Sequence, residues 1–430
     1  MWLTRALYAR NRTNRLAVDA SVLTAVLIAS AAESAWAQSK TTKPPKAQLI
    51  SSALKQLDRA ACEAAINNTA RELMVPGALV LVRTPGQAIR FGYGATQLGG
   101  KAAPQGGTHF RIASNTKTMT AAVVLQLAQE GKLSLADPVS KYVAGVPGGE
   151  RITIANLLEM RSGLYNYTSD PGLAATLDRD PTKTWTPAEL LAIAFRHPPS
   201  SPPDTEFEYD NTNYALLGLI IEKVDARPLA AAFHARLFEP LGLKNTFLPA
   251  SDVHTLPSPF AHGYLYGGGA YALVDSAYPA ELQRAARAGD LLPRDYTELN
   301  HSFASAAGGV VSTADDLAVW IRALATGKVL SADTQRTWLA SLRPEDPAKP
   351  EGQQYGYGIA KLQWGPNAML FHGGETPGYN SFIGYDPTND VTLIVWTNLT
   401  VALDGQPTAN ALMLKTLDQL YEVSPLAGGR

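Results

Sequence analysis

Strand signals in this chain are concentrated near its two ends and few between, and that distribution constrains the fold more than any other feature. Residues 77–94, "GALVLVRTPGQAIRFGYG", hold two runs rich in Val, Leu and Ile around Thr84-Pro85-Gly86, the pattern of a β-hairpin. Comparable runs return only in "YGYGIAKLQ", "AMLFHGG", "NSFIGYD" and "VTLIVWTN", between residues 355 and 398. Between them, helical stretches such as "NYALLGLIIEKV" alternate with Pro- and Gly-rich loops. A short hairpin cannot bury its apolar face alone, so the early strands must join the late ones. The expected fold is therefore α+β: an antiparallel sheet flanked by helices, formed by residues 49–136 and 301–430, with a mostly helical domain, 137–300, inserted between them. A helix is expected to lead up to Leu73, and another to close the chain through "ANALMLKTLDQLYEV".

The first 37 residues read as a signal peptide rather than as part of the fold. Arg5, Arg10, Arg12 and Arg15 precede an apolar run from Val22 to Ala32, and Ala35 and Ala37 form an A-x-A cleavage site. The run of about 11 residues is too short to span a bilayer. An uncleaved anchor is the competing reading. Cleavage after Ala37 would leave a polar lead-in, 38–48, and a periplasmic or secreted protein with no stable membrane insertion. A net charge of -1 on 430 residues gives no support to a nucleic-acid partner. Cys62 is the only cysteine, which excludes an intramolecular disulfide and a cysteine-built metal site, and it reads as a helix packing residue. His109, His197, His234, His254, His262 and His301 show no metal-ligand spacing, so neither metal nor cofactor is expected.

Chemistry enters at "FRIASNTKTMTA", where Ser114 and Lys117 form S-x-x-K at the start of a helix expected to end at Gly131. At i and i+3 an ammonium can reach the serine hydroxyl, and a helix start favours developing negative charge. One such match is expected by chance in about every chain of this length, and Ser52–Lys55 supplies a second copy. Ser114 is set apart by the motifs that come after it in order: Y-x-N at Tyr209 and Asn211, then His372, Gly373, Gly374 and Glu375 at the end of an expected strand. There is no G-x-S-x-G elbow, which excludes the common α/β-hydrolase triad.

Ser-x-x-Lys, Tyr-x-Asn and a basic residue before glycine resemble the three motifs of the penicillin-recognising serine hydrolases. The chain looks like the branch that holds class C β-lactamases, D-Ala-D-Ala carboxypeptidases, D-aminopeptidases and related esterases. "LLEMRSGLYNYTSD" and "AAGGVVSTADDLAVW" are further stretches similar to that branch. The resemblance implies an acyl-enzyme on Ser114, with Lys117, Tyr209 and His372 completing the catalytic group and Asn211 orienting Lys117 or the substrate. His372 would support Tyr209 and help protonate the leaving group, and the N–H groups of Ser114 and Glu375 would form the oxyanion hole. Burial is expected to lower the pKa of Lys117, and neighbouring positive charge that of Tyr209, which makes Tyr209 the expected proton shuttle.

The implied substrate is a small peptide, amide or ester. Carboxypeptidases of this branch resemble "HTGT" at the third motif, with an arginine after the "YGxG" strand; here those places hold Gly373, Glu375 and Ala360, followed by Lys361. Loss of hydroxyl donors and gain of an anion disfavour a substrate carboxylate, provided Glu375 faces the cleft. A true class C-like β-lactamase and a non-catalytic penicillin-binding protein are the alternatives.

Overall fold

The computed structural model describes residues 54–273, 277–423 and 425. The signal-peptide, lead-in and Ser52 readings lie outside the described residues. Twelve strands are present among the described residues: β1 (Gly77–Arg83), β2 (Ala88–Gly94), β3 (Phe110–Arg111), β4 (Tyr264–Leu265), β5 (Arg294–Asp295), β6 (Val311–Ser312), β7 (Arg343–Pro344), β8 (Gln354–Tyr355), β9 (Ala360–Trp364), β10 (Asn367–Thr376), β11 (Tyr379–Asp386) and β12 (Val391–Thr397). Eight form one antiparallel sheet in the order β2-β1-β12-β11-β10-β9-β8-β7. The early hairpin thus docks onto the last strand, with Val80 opposite Val395. Two short pairs, β3–β6 and β4–β5, stand outside this sheet.

The helices that position the site are α1 (Arg59–Glu72), α2 (Thr116–Gln129), α3 (Ile154–Leu158), α4 (Asn211–Asp225), α5 (Leu229–Phe233), α6 (Ala314–Ala325) and α7 (Thr408–Leu420). Every residue of β11 and β12 is buried, so both faces of the central sheet are covered. α7 packs on β11 and β12 and against α1, and α6 packs on the same two strands. Cys62 is buried within α1. That helix starts at Arg59, where Asp58 caps it by accepting from the Ala61 N–H. Among the described residues no helix is long and apolar enough to cross a membrane.

α2 and α4 pack against each other beside the sheet. Eleven of the fourteen residues of α2 are buried, an all-round burial that suits a central helix rather than a surface one. The S-x-x-K segment therefore leads into an enclosed helix, and Lys117, in its first turn, is drawn into the interior with it.

Candidate active site

Ser114 does not lie in the α-helix itself. It occupies a 3-10 turn, Ala113–Asn115, that leads into α2, and the preceding Ala113 has φ +50°. A non-glycine residue in the left-handed region costs of order 1 kcal/mol and persists only where its surroundings hold it. They do so here: the Ile112 N–H donates to Val310, the Val310 N–H donates to the Thr116 hydroxyl, and the Asn115 amide donates to Ile112 and to Ser381 on β11. The turn thereby fixes the Ser114 hydroxyl at the edge of a cleft, 6% exposed.

Lys117 is fully buried, and its Nζ makes three contacts: 3.0 Å to Ser114 Oγ, 2.7 Å to Asn211 Oδ1 and 2.7 Å to the Ala307 carbonyl oxygen. Asn211 is the first residue of α4, capped by Asp210, rather than a residue ahead of that helix. Its amide is held in one sense because Nδ2 donates to Thr168 Oγ at 2.9 Å, which turns Oδ1 toward the lysine. Two tyrosine rings, those of Tyr209 and Tyr214, enclose Nζ at 4.9 and 5.5 Å from their centroids. Burial holds the pKa of Lys117 well below the ordinary lysine range, with the Asp210 carboxyl pulling the other way.

Tyr209 corrects one expectation. Burial drives its phenol well above the usual tyrosine value, against a hydrogen bond shared with Ser114 that acts in the opposite direction. Desolvation outweighs the Ser114 hydrogen bond, and the neighbouring Tyr214, Glu345 and Glu375 act in the same direction as burial, so Tyr209 keeps its proton. Burial also pushes the Asp210 carboxyl up to about 8, so a neutral acid rather than an anion neighbours the lysine near pH 7.

His372 corrects another. It sits in the middle of β10, not at a strand end, because the strand continues to Thr376 before the Pro377-Gly378 turn. Its Nδ1 lies 2.6 Å from the Gly373 carbonyl, which can only accept, so Nδ1 carries the hydrogen. Nε2 is therefore an acceptor, and Tyr355 OH lies 3.1 Å from it as the donor. Burial, with the Lys117 charge adding, pushes His372 down to about 3. Both ring nitrogens are thus engaged in hydrogen bonds and the ring is neutral. Its ring packs 6.3 Å from that of Tyr209. Tyr355, fully enclosed and edge-on to Tyr209 at 6.2 Å, is a site residue that the sequence reading did not single out. Its place within "YGYG" is the signal that marks it.

β10 closes the other side of the cleft. β9 pairs with it only through Phe371, so the edge beyond that residue is open toward the Ser114 turn. Gly374 is required there: a Cβ would lie 2.2 Å from the Ile112 carbonyl and 2.5 Å from Ser381 Oγ. The cleft is bordered by Ser114, Thr168, Asn211, Phe303, Glu375 and Thr376 among others. Glu375 is half-buried at this border, and its Oε2 accepts from Asn380 Nδ2 at 3.3 Å. Ala360 supplies no cation, and the adjoining Lys361 lies half-buried on β9. Among the described residues no group of three or more His, Cys, Asp or Glu side chains could hold a metal ion.

An antiparallel sheet covered by helices on both faces, with an S-x-x-K serine, a tyrosine and an amide gathered round a buried lysine, defines a penicillin-recognising serine hydrolase. The chain belongs to the Beta-lactamase family, which it matches over residues 66–418. It is similar to Protein flp of Staphylococcus aureus (strain MW2), at 28% identity over 348 residues, 76% of this chain and 60% of that protein. It thus spans about three-fifths of the length of that relative. A putative penicillin-binding protein PbpX of Bacillus subtilis (strain 168) is 24% identical, with 86% of this chain and 82% of that one aligned. Among solved structures, a D-stereospecific amidohydrolase from Streptomyces sp. is 29% identical with a TM-score of 0.70, covering 83% of this chain and 97% of its own. The D-amino acid amidase of Ochrobactrum anthropi SV3 is 26% identical with a TM-score of 0.69, over 84% and 97%.

Proposed function

We propose that the protein hydrolyses an amide bond, in small D-amino acid amides or short peptides, through an acyl-enzyme on Ser114. The observation that carries this reading is the contact set of Lys117. Two acceptors at 2.7 Å, Asn211 Oδ1 and the Ala307 carbonyl, take two N–H bonds of a neutral amine. The nitrogen lone pair is then left to face the Ser114 hydroxyl at 3.0 Å. With its pKa lowered by burial, Lys117 is the base. Ser114 Oγ gives its proton to Nζ and bonds to the carbonyl carbon. The oxyanion is received by the N–H groups of Ser114 and Glu375. Strand alternation from the Thr376–Tyr379 hairpin closure turns the Glu375 N–H away from β11, toward the open edge. Collapse breaks the C–N bond, and the proton reaches the leaving nitrogen through Tyr209, which is protonated at rest and adjoins Ser114. Water then releases the acid by the same route reversed. His372 and Tyr355 hold the tyrosine in place.

Glu375 sets the substrate preference in this reading. A carboxylate bordering the cleft opposes a substrate carboxylate and favours one with a free ammonium or a neutral end. The similarity to a D-amino acid amidase and a D-stereospecific amidohydrolase agrees with that choice. The test is a panel of D-Ala-p-nitroanilide, L-Ala-p-nitroanilide, p-nitrophenyl acetate, penicillin and a D-Ala-D-Ala peptide. The D-anilide is expected to have the highest kcat/KM among the amides. Glu375→Thr should raise the peptide-to-anilide ratio by roughly tenfold or more. A preference for the D-Ala-D-Ala peptide in the unaltered protein would overturn the assignment, and an unchanged ratio in Glu375→Thr would remove Glu375 from it.

A further inference from the structure

The cleft beside Ser114 reaches Asn211, Glu375, Thr376, Leu273 and Phe303 but not Tyr209 or His372. Tyr209 protonates the leaving nitrogen in the proposed mechanism, so the leaving group lies on the Tyr209 side of the serine and this cleft receives the acyl residue. Most polar side chains along it are already engaged: Asn211 with Lys117 and Thr168, Thr376 with His301, and the Tyr167 hydroxyl with the Phe303 carbonyl. An acyl group therefore meets the Glu375 carboxylate and apolar surface, in which Leu273 and Phe303 are the bulky hydrocarbon side chains.

The two are held in different ways. Phe303 is buried in the 3-10 turn His301–Phe303. Leu273 is half-buried and ends the helical turn Ala270–Leu273, which is too short to be stable by itself. That turn packs on the helix Pro171–Arg179 and on β10. Its anchor is Asp178. The Gly269 N–H, just ahead of the turn, donates to both carboxylate oxygens at 2.9 Å, and the Tyr296 hydroxyl donates to Oδ1 at 2.7 Å. The Leu273 N–H donates in turn to the Gly269 carbonyl at 3.0 Å, so one helical turn links the clasped residue to the one that borders the cleft. Gly268 is fitted to the same carboxylate, since a Cβ there would lie 2.5 Å from Asp178 Oδ2. An acidic side chain in the last turn of a helix stands at the unfavourable end of the helix dipole. Asp178 gains nothing from its own helix, and its bonds run instead to the Gly269 loop and to Tyr296.

We propose that Asp178 is a positioning residue for substrate choice: by clasping Gly269 it seats Leu273 in the cleft, where Leu273 and Phe303 together select an acyl residue with a branched apolar side chain over alanine. This rests on the acyl-enzyme reading and narrows its substrate class from D-amino acid amides in general to those of the D-leucine type.

The experiment compares kcat/KM for D-Leu-p-nitroanilide and D-Ala-p-nitroanilide in the full protein and its variants. The larger side chain should be favoured by about tenfold or more. Leu273→Ala should bring that ratio to within about threefold of one. Asp178→Ala should lower it at least about threefold, whereas Asp178→Asn should keep it, because Oδ1 alone accepts from both Gly269 and Tyr296. Gly268→Ala, which drives a methyl against the carboxylate from the loop, should act as Asp178→Ala does, and it decides the matter if Asp178→Ala does not fold. A merely structural role for Asp178 would slow both anilides alike and leave the ratio unchanged. p-Nitrophenyl propionate and p-nitrophenyl 4-methylpentanoate carry the same two acyl side chains without the amine. A preference for the larger ester, with neither anilide cleaved, would sustain this proposal while removing the amide reading. Equal turnover within both pairs, a ratio that survives Leu273→Ala, or one that survives both Asp178→Ala and Gly268→Ala would overturn it. Turnover of none of the four would overturn it together with the acyl-enzyme reading.

Discussion

Replacing Asn211 with aspartate puts the neutral state of Lys117 to the test with almost no change in shape. The carboxamide oxygen lies 2.7 Å from Nζ, so the substitution brings a formal negative charge to hydrogen-bond distance of the amine in a site closed to water. Thr168, whose hydroxyl accepts from Asn211 Nδ2 and donates to Asn166 Oδ1, can donate to the new carboxylate only by giving up the Asn166 bond. An opposite charge at this range raises a lysine pKa by ~1–3, each unit being worth about 1.4 kcal/mol. Because burial starts that pKa below the ordinary range, the increase reprotonates the base within the working pH range. The acid limb of kcat/KM should therefore move to higher pH by about 1–3. At the pH where the unaltered enzyme is half-active, the rate should fall roughly 5- to 500-fold, with recovery toward alkaline pH. Asn211→Ala provides the opposite sign: loss of an acceptor disfavours the ammonium, so its acid limb should move down and its rate loss be independent of pH. A full pH–rate profile of the three proteins on one chromogenic amide is the assay. An acid limb that stays in place in Asn211→Asp, or moves to lower pH, would refute Lys117 as the base.

Two further outcomes rest on the packing of β10. Gly374→Ala places a Cβ against the Ile112 carbonyl, which must shift together with the Ser114 turn, so kcat/KM should fall at least ~100-fold at a stability cost of about 1–3 kcal/mol, read from thermal melts. The depressed His372 pKa carries a pH signature for stability: the folded value is about 3 and the ordinary value is 6.5, so between them the unfolded chain binds the extra proton. Stability from this group is thus intact above about pH 6.5 and is lost as pH falls toward 3, by at most about 5 kcal/mol. His372→Asn should flatten that part of the urea-melt stability curve, and an equal slope in both proteins would show that the histidine does not remain neutral.

The site is legible in the sequence to the extent that it rests on residue types in a fixed order. Ser114, Lys117, Tyr209, Asn211 and His372 are chemically distinctive, and the three motifs occur in one sequence order, so their grouping can be read before any coordinates. The hairpin at 77–94 and the late strands are equally legible, since alternating apolar runs and turn residues are local signals. The features that the sequence does not disclose are set by long-range burial. Nothing in "IAS" shows that Ala113 takes a left-handed conformation, since alanine carries no preference for it; the pairing of Ile112 with Val310 imposes it. The acceptor on Ala307 is a main-chain carbonyl, and every residue has one. The expectation for Tyr209 fails for the same reason: the motif suggests a cationic neighbour, but the desolvation that dominates depends on distant residues such as Tyr355 and His372 packing against it. Tyr355 is one tyrosine among 17, and beyond its place within "YGYG" it is its contact with His372 Nε2 that distinguishes it.

The proposed mechanism stands on Ser114 forming a covalent intermediate. Treatment with a fluorophosphonate probe followed by intact-mass and peptide analysis should give one adduct, on the peptide containing Ser114, and Ser114→Ala should show neither the adduct nor more than ~0.1% of the turnover. The lysine dependence sharpens the result, since Lys117→Met should slow labelling by a similar factor while leaving the melting profile cooperative. An adduct on another residue, or substantial turnover in Ser114→Ala, would contradict the mechanism at its centre.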